Sequence, residues 1–383
     1  MPDIIYPDYQ HCILNIVSSI LAHYHASSGF PTISDLDLAL TGNCQNVVLM
    51  VFDGMGTDML KRNLPEESLL RRSIMRVLTS VYPCTTTAAM TSYYSGLSPL
   101  AHAWLGWSLY FKEFSSIIDA FPNRDSFTKQ SAGDVHAAYS VMPYESIFEK
   151  IDRSENREVR SYMIVPSGIT FPEVPGTEIR VENPDQIFEN VQRLCSQPGR
   201  KFIMSYWYEP DCTAHIYGTY ADQTRDKVEY IDIQTAALYG KMKDTLLIMS
   251  ADHGLINIDR EFYLNTIPEI EECLIMPPSI EPRAVSFFIK PDMKQIFAER
   301  FRMLFGSDFI LYGKDEVINN HLLGYGIPHK KISDFIGDYL ACATGSVMLR
   351  YRTMNGVEPL QYKAHHAGFR AEEMLVPLII LRA

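Results

Sequence analysis

The chain has 383 residues, 46% of them hydrophobic and 21% charged, with a mean hydropathy of -0.07. This is ordinary globular composition, which rules out a disordered chain, a collagen-like repeat and a coiled coil. Lys and Arg number 34 against 46 Asp and Glu, a formal charge of -12, so the broad basic footprint of a nucleic-acid scaffold is missing.

No apolar run approaches the ~18–20 residues needed to span a bilayer. The opening residues Met1 to Tyr6 carry neither the basic nor the apolar part of a signal peptide. No membrane association is therefore expected. The seven cysteines (Cys12, Cys44, Cys84, Cys195, Cys212, Cys273 and Cys342) are odd in number, scattered, and form no CxxC. That pattern reads as reduced thiols in a cytoplasmic protein.

In chain order, residues 1–40 predict a helical preface, with Ile13, Ile16, Val17, Ile20 and Leu21 at helical spacing. Asn46 to Phe52 is a continuous apolar run ending at Asp53-Gly54, as suits a parallel strand buried on both faces. A β-rich stretch from Ile74 to Tyr82 leads into Thr85-Thr86-Thr87 and a predicted helix ending near Ser95-Gly96. Further strand-like runs fall at 201–205, 245–250 and 376–381, with a helix predicted between Gly218 and Met242. This alternation predicts an α/β fold, a doubly wound and mostly parallel sheet sandwiched by helices. Residues 258–349 differ in texture. Val285 to Ile289 is strand-like, Met293 to Leu304 helical and Asp308 to Tyr312 strand-like, which predicts a smaller inserted α/β cap. The main domain is then 1–257 with 350–383, and the cap is 258–349.

Ligands of such sheets bind at the carboxyl ends of the strands, so the polar residues after each run carry the functional argument. They are Asp53, then Asp211 and His215, then Asp252 and His253, with His365 and His366 just ahead of the last strand. Each piece alone has a plainer reading: Asp53 as a helix cap, Asp211 and His215 as a surface pair one helical turn apart, Asp252-His253 as a turn. Their coincidence at four strand ends favours a metal site, and mixed carboxylate and imidazole donors suit Zn²⁺ or Mn²⁺ better than Ca²⁺ or Mg²⁺. The threonines at 85–87 open a helix, where amides and the helix dipole favour negative charge. One of them is a candidate nucleophile towards phosphorus, the others helix caps.

The ordered set Phe52-Asp53-Gly54, Pro83 with Thr86, Gly96-Leu97-Ser98-Pro99 with His102, Glu209-Pro210-Asp211 with His215, Ala251-Asp252-His253-Gly254, and His366-Ala367-Gly368 before Glu373-Met374 resembles the alkaline phosphatase superfamily. Within it the branch is the type I phosphodiesterase/nucleotide pyrophosphatases, and the likeness spans roughly 45–256 and 363–383. The resemblance implies two divalent metal ions, normally zinc. One would be held by Asp211, His215 and His366, the other by Asp53, Asp252, His253 and the nucleophile oxygen. It implies Thr86 as that nucleophile, His365 as a support and His102 as structural. The implied function is metal-dependent hydrolysis of a phosphodiester or pyrophosphate bond in a small molecule such as a nucleotide, through a phospho-threonine.

The chain departs from the branch in one place. Trp104-Leu105-Gly106-Trp107 replaces the stretch where nucleotide pyrophosphatases carry an asparagine that meets a phosphoryl oxygen. Trp107 and Tyr110 are the expected substrate contacts, stacking on a base or another flat leaving group. The alternatives are a phosphomonoesterase with the same machinery, for which Lys112 or Arg370 would meet the dianion, and a non-catalytic anion-binding homologue. A sulfatase is disfavoured because Cys84 is followed by Thr86 and Ala88 rather than Pro and Arg. A dinucleotide site fails for want of a GxGxxG.

Overall fold

The computed structural model describes residues 3–42, 44–154, 158–168, 177–352 and 360–383; residues 353–359, which fall within the predicted 350–383 segment, lie outside them. A seven-stranded sheet forms the centre. Its strands are β1 (Asn46–Phe52), β2 (Ile74–Thr79), β3 (Arg160–Pro166), β4 (Thr177–Val181), β5 (Lys201–Trp207), β6 (Thr245–Ser250) and β7 (Leu375–Arg382), in the spatial order β2-β7-β6-β1-β5-β3-β4. β1 is parallel to both its neighbours, β5 and β6. Every residue of β1, β5 and β6 is buried, as continuous apolar runs in a covered parallel sheet should be. The fold is the mostly parallel α/β sandwich expected.

β7 is the exception to the parallel rule, pairing antiparallel with β2 and β6. The reversal brings its first residue, Leu375, opposite Thr79 at the end of β2. Residues that precede β7 in sequence thus reach the same sheet edge as residues that follow β1, β5 and β6.

Four helices matter most for the site. α1 (Ile13–His23) buries the apolar stripe read from the sequence. α2 (Thr86–Ser95) is buried along its whole length and ends at Gly96, whose φ of 68° closes the helix in the left-handed region. α3 (Asp211–Tyr217) follows β5, and α4 (Asp222–Tyr239) lies within the predicted 218–242 segment.

A second seven-stranded sheet is antiparallel throughout and takes its strands in the order Phe309–Gly313, Tyr339–Ala343, Ala284–Phe287, Ser279–Glu281, Ser108–Phe111, Ser116–Asp119 and Arg124–Asp125. It therefore draws on residues 108–125 as well as on the 258–349 stretch. Its outer part has a core of its own, built from Phe287, Phe297, Phe301, Phe305 and Phe309 with aliphatic neighbours.

One buried ion pair ties the two sheets together. Arg283, fully buried, donates from Nε to Glu373 Oε1 at 2.7 Å and from a terminal nitrogen to Glu373 Oε2 at 2.7 Å. Its remaining donors meet the carbonyls of Val347 and Gly345. Glu373 Oε1 also accepts the Gly368 N–H at 2.8 Å. Removing one partner strands the other charge, at a cost of about 3–5 kcal/mol. Arg283→Met is expected to lower the denaturant midpoint accordingly, and the double variant Arg283→Met with Glu373→Leu to recover part of the loss.

Candidate active site

The site grows from the ends of β1, β5 and β6 and the approach to β7. Asp53 follows β1 and is pinned through its backbone, its N–H donating to Trp207 O at 2.9 Å and its carbonyl accepting from Asp211 N at 3.1 Å. Gly54 makes this approach possible. Its φ is 70°, and a Cβ there would stand 2.9 Å from the Asp211 Cβ. The Gly54 N–H donates to Asp252 Oδ1 at 3.1 Å, as does the His253 N–H at 2.9 Å.

Around this knot the candidate residues converge. Thr86 Oγ1, at the first residue of α2, lies 3.2 Å from Asp53 Oδ2, 3.4 Å from Asp53 Oδ1 and 3.2 Å from His253 Nε2. His253 Nε2 stands 3.3 Å from carboxylate oxygens of both Asp53 and Asp252. His215 Nε2 is 3.2 Å from Asp211 Oδ2, and the His253 and His366 rings stack at 3.9 Å. Two groups bring three donor atoms within 4.8 Å of one another: Asp53, Asp252 and His253, and Asp211, His253 and His366. The second contains His253 where the resemblance implied His215, which pairs with Asp211 Oδ2 and lies 5.2 Å, ring to ring, from His366.

The histidines are oriented by their other nitrogen. Nδ1 of His253 lies 3.1 Å from the Gly254 carbonyl and Nδ1 of His215 lies 2.8 Å from that of Ala364. An N–H donated there turns the Nε2 lone pair inward, as carbonyl partners do for metal-binding imidazoles. His365 accepts the His366 N–H at its Nδ1, a supporting place. His102 hydrogen-bonds Ser92 and the Trp104 N–H, and burial drives its pKa down to about 3.

The electrostatics are those of crowded, buried carboxyl groups, one of them paired with an imidazole. Burial, then the Asp252 and Asp211 charges, raise the Asp53 pKa well above the usual carboxylate range. Burial and Asp211 push Asp252 up to about 7 against the hydrogen bonds from Gly54 and His253. Asp211 goes the other way: burial would raise it, but the His215 charge and hydrogen bond outweigh that, while the same pairing lifts His215 to about 9. Burial keeps His366 neutral, the form that ligates a metal.

A cavity of about 680 Å³ opens over Thr86, with Asp53, Trp107, Trp207, Glu281 and Tyr362 in its wall. Three sequence expectations need correction here. Tyr110 does not line it; its ring packs edge-on against Phe288. Lys112 pairs with Asp334 at 2.8 Å and Arg370 with Glu372 at 2.9 Å, both away from the cavity. The lysine and arginine that do line it are Lys129, paired with Asp119, and Arg350, paired with Glu261. Trp107 is in the wall. Sequence reasoning missed Glu281, and also Tyr206, whose hydroxyl donates to Asp53 Oδ2. Tyr206 was readable in principle, one residue before the end of a strand whose neighbour bears Asp53.

Fold and site together define a hydrolase of phosphoester bonds in the alkaline phosphatase superfamily. The chain belongs to the type I phosphodiesterase/nucleotide pyrophosphatase family, whose sequence profile matches residues 47–300. No curated protein sequence matches it. Among solved structures it is similar to murine ectonucleotide pyrophosphatase/phosphodiesterase 5, at 15% identity over 88% of each chain with a TM-score of 0.63. It is also similar to phosphonoacetate hydrolase from Sinorhizobium meliloti in complex with phosphonoformate, at 15% identity over 89% of this chain and 91% of that one with a TM-score of 0.62. These likenesses concern the fold.

The raised pKa of Asp252 has a testable consequence. A folded-state value near 7 against about 3.9 unfolded means the metal-free folded state binds more protons between those values. Its contribution to stability is therefore lost as pH rises through that window. Metal-free Asp252→Asn is expected to show a smaller fall in melting temperature from pH about 4 to about 7 than metal-free wild type. Equal falls would contradict the raised pKa of Asp252.

Proposed function

We propose that the chain hydrolyses a phosphodiester or pyrophosphate bond of a small molecule at a site for two divalent cations, by way of a phosphoryl group carried on Thr86. The observation that carries this reading is the position of Thr86 Oγ1. It opens a buried ten-residue helix, within hydrogen-bond reach of both Asp53 and His253, on the wall of the cavity. Neither neighbouring threonine matches it: Thr85 donates to Glu281, and Thr87 Oγ1 is buried.

The donor set fits the metals that the resemblance implies. Asp211 Oδ1, Asp252 Oδ2 and His366 Nδ1 are buried without a hydrogen-bond partner among the described residues, and such orphaned acceptors are costly unless something binds them. Asp53, Asp252, His253 and Thr86 would hold one cation, and Asp211, His215 and His366 the other. The mixture of imidazole and carboxylate favours zinc, with manganese the next fit. When bound, the pair would lower the pKa of the Thr86 hydroxyl and offset charge on the phosphoryl oxygens.

The chain's own groups then do the following. Asp53, held by Tyr206, keeps the Thr86 hydroxyl aimed into the cavity. The Thr86 hydroxyl passes its proton to Asp53, to which it donates, Oγ1 forms the new bond to phosphorus as the bond to the leaving oxygen breaks, and the leaving oxygen takes a proton from water; the amides that open α2 favour the charge that develops. Water later takes the phosphoryl group from Oγ1, and the hydroxyl is restored. The rings of Trp107 and Trp207 offer a flat leaving group a surface to stack on, and the second sheet, which contributes Glu281, acts as the cap that selects it. A nucleotide suits that wall. The murine neighbour has been solved as an inactive threonine-to-alanine variant in complex with AMP, which supports both the threonine and the nucleotide.

Thr86→Ala is expected to abolish hydrolysis of a nitrophenyl phosphodiester, a loss of about 10³-fold or more, while two zinc equivalents remain bound by elemental analysis. Substantial residual turnover would move the nucleophile to Thr85 or Thr87.

A further inference from the structure

Glu281 is a buried carboxyl group in the wall of the reaction cavity that the proposed mechanism does not use. It comes from the second sheet yet touches the nucleophile's neighbour: Thr85 Oγ1 donates to Glu281 Oε1 at 2.7 Å. The Trp107 N–H donates to the same oxygen, also at 2.7 Å. Oε2 makes no hydrogen bond among the described residues. The backbone that presents it is strained, since Ile280, a β-branched residue, holds a φ of 78°. Gly106 is pressed against that strained residue, where a Cβ would stand 2.8 Å from the Ile280 carbonyl oxygen. Burial pushes the Glu281 pKa up to about 7, against the hydrogen bonds from Thr85 and Trp107, so the group is ionised in mildly alkaline solution.

We propose that the Glu281 carboxylate is a specificity determinant that sets the acceptable charge of the phosphoryl group, admitting monoanionic diesters and disfavouring dianionic monoesters and inorganic phosphate; this rests on the phosphoester hydrolase reading above. A monoester carries close to two charges at neutral pH and above, because its second pKa is near 6, whereas a diester carries one. Negative charges brought together in a partly dry site repel strongly. The proposed cations offset charge on the phosphoryl oxygens, but the cavity's lysine and arginine leave the Glu281 charge itself unpaired. Lys129 and Arg350, the lysine and arginine in its wall, are each already paired with a carboxylate. Glu281 therefore acts by exclusion, and the two donors on Oε1 fix it in the cavity wall beside the residue that precedes Thr86.

Glu281→Gln separates this role from a purely structural one, because the amide oxygen still accepts from Thr85 and Trp107 while the charge is gone. Zinc-loaded wild type and variant are titrated with inorganic phosphate by calorimetry, and their rates are compared on a nitrophenyl phosphate monoester and the matching diester in mildly alkaline buffer. The variant is expected to bind phosphate about tenfold more tightly or better, and to gain by a similar factor in its monoester-to-diester rate ratio. Unchanged phosphate affinity and an unchanged ratio overturn the proposal. So does a folded variant that has lost activity on both esters without binding phosphate more tightly. If wild type cleaves neither ester but the variant still binds phosphate more tightly, the hydrolase reading fails and the role of Glu281 stands. Should the glutamine variant not fold, Glu281→Ser, which also removes the charge and keeps an oxygen acceptor, is expected to give the same shifts.

Discussion

Three aspartates from three different strand ends meet in one buried pocket, and the arrangement of the chain around them follows from that. Asp53, Asp211 and Asp252 are each almost fully buried. Burial penalises the charged carboxylate, and neighbouring carboxylates penalise it again. Two of the three respond with raised pKa values; the third is rescued chiefly by His215, with His253 adding to it. A fold does not keep such a cluster for stability, since apolar residues of the same size would be cheaper. The cluster makes physical sense as a receptacle for positive charge, and the orphaned lone pairs on Asp211, Asp252 and His366 are where that charge would sit.

Topology delivers the pieces. β1, β5 and β6 are parallel neighbours, so their carboxyl ends bring Asp53, Asp211, Asp252 and His253 to one edge. The antiparallel β7 adds what a wholly parallel sheet could not, the residues before its start, and with them His366. That loop needs more support, since Ala367 holds a φ of 90°. The support is Glu373, which takes the Gly368 N–H, and Arg283, which neutralises Glu373 from the other sheet. The Glu373 carbonyl also receives the Gly254 N–H beside His253. The second sheet therefore reaches the site twice: through Arg283, which steadies two histidines, and through Glu281, which meets the helix that carries Thr86.

Much of this was legible in the sequence, for a physical reason. Strands buried on both faces must be apolar throughout, so β1, β5 and β6 stand out as unbroken runs, and the polar residues after them stand out as strand ends. Thr86 and the ligand set came from the order and spacing of those residues together with a family resemblance. The second sheet was less legible. Its strands run only two to five residues, too short to show a period, and residues 108–125 join 279–343 across long stretches of chain. Tyr110 was misread because an exposed-looking aromatic gives no sign in sequence of which neighbour, here Phe288, will claim it. Glu281 had no motif at all. Its contact with Thr85 spans 196 positions, and only the folded chain makes that glutamate part of the site.

The central claim is that the buried carboxylates and imidazoles exist to hold two divalent cations around Thr86. The most direct test is the metal content of purified protein after zinc loading and gel filtration, read by elemental analysis beside an Asp252→Ala variant. The account predicts about two zinc equivalents per chain in wild type and about one in the variant. A wild-type protein that retains no zinc, or a variant that retains as much as wild type, would contradict it.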